Sequence, residues 1–423
     1  MVVPVVLTKL SMPTRRILII IALLLVVIGV GVILYLTFGP SAAHLTVNSG
    51  NPFGNTGSGT PNATPNSNEV TASTGAGIVV APNLVEITKA SVSAGVAVVD
   101  IIPATTTTSL ATSTATSTPQ MNDIAVRYID RQSGNVYEYR AEARSLTRIS
   151  DKTLPGIQVA SWLPDGSVAF VQFLSDSASG EALDTYALPA NGSDGYFLAQ
   201  DLDEVKVLGE NAIFTLAAGV GSSIGTVAQL NGANASAVFT SPLSSIIVYP
   251  AGIGFVAVTK AASELNGYAF YINPTTGAFT PILGPLHGLT VLPSPSGQFI
   301  LYSYTDGSAY HMGVFDQSTG GVVSLPLATF AEKCAWTPDN TALYCGVPTS
   351  FSGNLPDDWY QGGVSFTDRI WRIDLTSRLA TLIVDPLKAG NSAIDVVNPA
   401  IDPASRLFVF RNKKDSSLWA YSL

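Results

Sequence analysis

The chain holds only two cysteines, Cys334 and Cys345, and they bracket one stretch, CAWTPDNTALYC. Such a pair could be a disulfide, a redox or metal pair, or two small buried hydrophobes. The histidines His44, His287 and His311 lie far apart in the sequence and add no zinc-ligand spacing. No metal or cofactor is expected. Gly221-Ser222-Ser223-Ile224-Gly225 fits the G-x-S-x-G elbow of hydrolases. That elbow needs a strand-to-helix turn, which a Gly/Ser loop between two short strands does not supply. Asp201, Asp203 and Glu204 could approach calcium but lack the rest of an EF-hand loop, so they read as a solvated acidic loop. The segment NLPDDWYQGG places Asp357, Asp358, Trp359 and Tyr360 together. Aromatic residues are enriched at recognition hot spots, so these four are the candidate partner-binding residues. The competing reading is a loop that folds back and buries Trp359.

Composition narrows the partners. Of 423 residues only 12% are charged, and 21 basic residues face 30 acidic ones, for a net charge of −9. A nucleic-acid binder would need a basic face for phosphates, so that class is excluded. Ile17 to Phe38 is a run of 22 uncharged residues, about 33 Å long as a helix. Lys9, Arg15 and Arg16 precede it, and the next basic residue is Lys89. The positive-inside rule then places residues 1–16 in the cytoplasm, a transmembrane helix at 17–38, and the rest outside. A cleaved signal peptide is the rival, with Ser41-Ala42-Ala43 offering small residues. Its apolar core would normally be only about 7–15 residues, which favours the anchor.

Residues 39–83 are rich in Gly, Ser, Thr, Asn and Pro and read as a flexible tether. A second biased run, 103–121, interrupts apolar stretches on both sides and reads as a loop insertion. Beyond it, short β-branched and aromatic runs alternate with turn residues, which is an all-β signature. The runs recur as SWLPDGSVAFVQF, LPSPSGQFILYSY, AWTPDNTALYCGV and IDPASRLFVFRN, aligned on Pro164, Pro295, Pro338 and Pro403. Pro295 and Pro338 are 43 positions apart, and Pro164 and Pro295 are 131 apart, three such periods. The last gap, 65, exceeds one period by about 22, which matches the long stretch VPTSFSGNLPDDWYQGGVSF. Four strands per period of about 40–45 residues means a β-propeller.

At this point the chain resembles the WD40-like propellers of the TolB type, whose repeats carry W-x-P-D-G. Trp162-Leu163-Pro164-Asp165-Gly166 matches fully, and Trp336-Thr337-Pro338-Asp339-Asn340 departs at the glycine. The resemblance covers the repeats only. No α/β domain of the TolB kind precedes them, so no partner follows from it.

The C-terminal piece supplies three strands, and Leu84 to Thr88 supplies the missing outer one. The expected architecture is therefore a seven-bladed propeller over 84–423, closed by that N-terminal strand. In it Cys334 and Cys345 flank the first hairpin of the sixth blade. A two- or four-residue turn sets them face to face as a disulfide; a three-residue turn does not. The long loop with Asp357 to Tyr360 joins second and third strands, on the face directed away from the membrane. The function expected is a non-catalytic extracytoplasmic module that binds an envelope protein or glycan. The alternative is a carboxylate-based glycan hydrolase or lyase in the central pocket.

Overall fold

The computed structural model describes residues 83–101, 123–177 and 180–423. The residues expected to form the cytoplasmic tail (1–16), the membrane span (17–38), nearly all of the tether (39–83) and the insertion (103–121) lie outside the described residues. Among the described residues no helix is long and apolar enough to cross a membrane.

The described chain is nearly all β and runs as successive antiparallel meanders. Five sheets have four strands each, in which sequence neighbours are spatial neighbours except at one edge. Their first strands are Ala97–Ile101, Val159–Trp162, Glu204–Leu208, Cys334–Trp336 and Val396–Ile401. The exception is the last sheet, whose outer strand is Leu84–Thr88. It pairs with Leu418–Ser422 through Leu84 opposite Tyr421 and Val85 opposite Ala420. The first and last described strands thus share one sheet.

The sixth sheet has seven strands, from Ile246–Ala251 to Gly321–Ser324. Gly284, Pro285 and Gly288 would ordinarily mark a turn between two strands. The structure instead runs a single 15-residue strand, Phe279–Pro293. Its first part pairs with Asn266–Ile272 and its second with Phe299–Thr305. Gly284 and Gly288 have positive φ there. They let the chain shift register without a side-chain penalty, so what reads as a break is a bent strand.

Each proline-led repeat makes the same hairpin loop. Leu163, Ser294, Thr337 and Asp402 each bond backbone-to-backbone across four intervening residues, to Val168, Phe299, Ala342 and Leu407. The third of the four intervening positions is left-handed in every case: Gly166, Gly297, Asn340 and Ser405. Proline fixes φ at the start of the turn, and glycine or asparagine tolerates the left-handed position. The four-residue loop Pro338–Thr341 keeps Cys334 directly opposite Cys345, and a disulfide joins them with Cα atoms 4.1 Å apart.

Period-two alternation builds the core from these sheets. Along Leu407–Asn412, Leu407 and Val409 pack toward Ile124 and Val126 of one neighbouring sheet. Phe408 and Phe410 pack toward Ile370 and Tyr344 of the other. Both faces of the strand are therefore buried, which explains its continuous apolar run. The same holds around the molecule. Six apolar clusters each join consecutive sheets, one of them the last sheet to the first, and a seventh lies within the seven-stranded sheet between its two halves.

Candidate functional site

The insert between Ala342–Pro348 and Asp368–Asp374 is compact and carries a single helical turn, Asp357–Tyr360. Trp359 fixes it. Its side chain is only 3% exposed and packs on Phe330 at 4.9 Å and Phe366 at 6.5 Å. Its indole N–H donates to Asp395 Oδ2 at 3.0 Å.

Asp395 belongs to a buried charge cluster. Lys333 Nζ, fully shielded, pairs with Asp368 at 2.8 Å and with Asp395, and donates to the Val396 carbonyl at 3.0 Å. Backbone N–H groups of Phe366 and Val396 donate to Asp395 and Asp368. One ammonium thus serves two carboxylates in a low-dielectric interior. Burial, opposed by Lys333, pushes the Asp368 carboxyl up to about 6. Its Oδ1 has no hydrogen-bond partner. With all three side chains shielded, the cluster clamps the insert to the neighbouring sheet and is closed to ligands.

The clamp positions two open cavities. The first, of about 540 Å³, is lined from the first strands of four sheets, through Lys206, Ile247, Tyr249, Cys334 and Asn398, and from Leu292 of the continuous strand Phe279–Pro293. Lys260, Glu332 and Tyr360 also line it. Asn398 has a left-handed backbone at a register shift in its strand, a bulge that re-aims the chain at the cavity edge. Lys206 Nζ sits 5.9 Å from the centre of the Tyr249 ring. The Tyr360 hydroxyl donates to Glu332. Burial raises the Glu332 carboxyl, with Tyr360 and Lys333 opposing. Burial, reinforced by Glu332, raises both the Tyr360 and the Tyr249 phenols. Both tyrosines therefore keep their protons at neutral pH and act as hydrogen-bond donors, not bases.

The second cavity, of about 500 Å³, lies between the insert's Phe351–Leu355 and the loops carrying Ser263–Glu264 and Thr305–Tyr310. Asp357 joins insert to loop by accepting the Ser263 N–H at 2.6 Å.

The four predicted partner residues therefore divide. Trp359 corrects its expectation: it is interior, because its indole fills the pocket over Phe330 and satisfies Asp395. Asp357 and Asp358 accept backbone N–H groups of Ser263 and Asn354, and so brace the loop. Tyr360 is 36% exposed and is the one of the four that lines a cavity. Lys206, Lys260, Tyr249 and Glu332 were not legible as a group, being spread over three meanders. The other motifs resolve locally. Ser223 is buried and donates to the Leu243 carbonyl, and Asp201 and Asp203 accept backbone N–H groups. His311 pairs with Asp306 at 2.7 Å, and neither lies in the strand-lined cavity. Among the described residues no group of three metal-ligating side chains converges.

No protein-family model and no curated protein matches the sequence. Solved structures do. An oligogalacturonate lyase in complex with manganese aligns with 71% of this chain and 86% of its own, at 11% identity and TM-score 0.48. The oligogalacturonate lyase of Vibrio parahaemolyticus has the same coverages at 8% identity and TM-score 0.49. TolB from Acinetobacter baumannii aligns with 61% of this chain and 62% of its own, at 12% identity and TM-score 0.41. With every TM-score below 0.5, no activity, metal or partner is transferred from these proteins to this chain.

Proposed function

We propose that the chain is a membrane-anchored seven-bladed β-propeller that binds an extracytoplasmic envelope protein or glycan on its insert-bearing face, without catalysing a reaction. The observation that carries the reading is the convergence of first strands from successive meanders on one cavity, as inner strands do around a propeller axis. The seven-blade count treats Phe279–Pro293 as the outer strand of one blade and the inner strand of the next. Apolar clusters between consecutive sheets, last to first included, and a further one between the two halves of the seven-stranded sheet support that count. The run Ile17–Phe38 supports the anchor, with residues 1–16 cytoplasmic.

A carboxylate-based glycan hydrolase or lyase is the second reading, supported by Glu332 in the axial cavity. Glycoside hydrolysis ordinarily takes two carboxyl groups across the bond. Glu332 is the only carboxylate lining that cavity among the described residues. Its neighbours Tyr249 and Tyr360 are held protonated, so the set binds better than it reacts.

Binding can be tested with the soluble 84–423 fragment on envelope extract. Capture of a defined partner should weaken at least about tenfold in Tyr360→Ala, roughly 1.4 kcal/mol, with cooperative melting kept. Undiminished capture by Tyr360→Ala would remove the axial cavity from the partner site. The anchor predicts that the full chain stays in the membrane pellet after alkaline carbonate extraction.

A further inference from the structure

The cavity beside the insert differs chemically from the axial one. Of the residues that line it, Glu264 is the only ionisable one besides Tyr310, and no lysine, arginine or histidine is among them. A carboxylate- or phosphate-bearing ligand would find no cation there to pair with. Its floor is aromatic: Tyr310 and Phe351 stack at 5.1 Å and 18°. Phe351 is 38% exposed, although an aromatic on a braced loop would ordinarily be turned inward. Its rim is hydroxyl and amide: Ser263, Ser308, Ser352 and Asn354. Ser308 Oγ already donates to Asp306 at 2.7 Å and can still accept, while Asn354 offers both a donor and an acceptor. The Tyr310 hydroxyl is shielded and has no hydrogen-bond partner. Being shielded, that hydroxyl is out of a ligand's reach, and Tyr310 contributes to the cleft through its ring.

From these features we infer that the cleft binds an uncharged saccharide, one ring lying against Phe351 and its hydroxyls meeting the Ser/Asn rim. A pyranose offers an apolar C–H face and a hydroxyl edge, which match an aromatic floor and a neutral polar rim. The volume of about 500 Å³ falls in the range of small-ligand sites. The inference deepens the glycan branch of the proposed function and rests on the insert-bearing face being the binding face.

The test uses the full-length chain in detergent, titrated calorimetrically with uncharged hexose and N-acetylhexosamine oligomers, and with oligogalacturonate as the anionic comparator. At least one uncharged oligomer should bind. Phe351→Ala should weaken that binding at least tenfold, and Phe351→Tyr should restore it. Should Phe351→Ala fail to melt cooperatively, Asn354→Ala serves in its place with the same expected loss. The inference is overturned if no uncharged oligomer binds, if oligogalacturonate binds as tightly, or if both variants bind like the parent. Tyr360-dependent capture of an envelope protein alongside any of those results would sink the saccharide and leave the binding module standing. Loss of both would remove the two together.

Discussion

Lys333 has no solvent exposure, and Asp368 and Asp395 share its single charge. Three full charges in so dry a place are unfavourable, so the cluster gains by taking up a proton. Asp368, with one oxygen lacking a partner, is where the proton goes. The sign of the resulting pH dependence follows from its raised carboxyl. Below about pH 4 the group is protonated in both folded and unfolded chains, and its contribution to stability is fully present. That contribution is lost as pH rises through about 6, where the folded chain must ionise it. Asp368→Asn keeps an oxygen for the Val396 N–H and cannot titrate. Relative to Asp368→Asn, the parent should therefore lose stability between pH 4 and 7, by up to about 3 kcal/mol. Melting temperatures of both proteins across that range would check this, and parallel curves would contradict it. Trp359 belongs to the same unit, since its indole N–H completes Asp395. That is why an aromatic read as a surface anchor is a buried strut.

Hairpin loops are the elements that repeat, and their left-handed position sets what each copy tolerates. Gly166 and Gly297 share that position, with φ of 68° and 74°. A Cβ on Gly166 would meet Ala97 Cβ and the flexible Arg127 side chain at 3.3 Å. On Gly297 it would lie 2.3 Å from the Ala251 carbonyl carbon, in the backbone of the preceding hairpin. Gly166→Ala should therefore cost only the left-handed strain, about 1–2 kcal/mol. Gly297→Ala should cost roughly 1–3 kcal/mol more, because backbone must move. Denaturant midpoints of the two variants give the comparison, and equal losses would show that the neighbouring hairpin yields freely. These loops were legible in the sequence because proline and a φ-tolerant residue recur at fixed offsets, and Asn340 replaces glycine without changing the register. The continuous strand Phe279–Pro293 was not, since Gly284 and Gly288 carry the same signal as a turn. Nor was the clamp. Residues 333, 368 and 395 fall at three separate loop-to-strand junctions, where isolated charges read as solvated. Only the packing of neighbouring sheets brings them together.

At the scale of the whole molecule, one short strand holds the two ends of the fold together. Leu84–Thr88 supplies the outer edge of a sheet whose other three strands come from the last 28 residues of the chain. It also supplies apolar side chains to both flanking interfaces. Leu84, 3% exposed, packs in the cluster with Phe408 and Ile370, and Ile87, 8% exposed, in the cluster with Ile124 and Val409. Removing it would bare the N–H and C=O groups of Leu418–Ser422 and open both clusters to water. An exposed edge of that kind is a template for intermolecular pairing. A fragment starting at Lys89 should therefore melt below one starting at Val80, with a loss of roughly 4 kcal/mol or more for two buried aliphatic side chains. Its aggregation should increase with concentration. A synthetic peptide spanning residues 83–89, added in excess, should raise the melting temperature of the shorter fragment and suppress the aggregation, since it restores the missing pairing. Equal melting of the two fragments, with no effect of the peptide, would show that the sheets hold together without the closing strand.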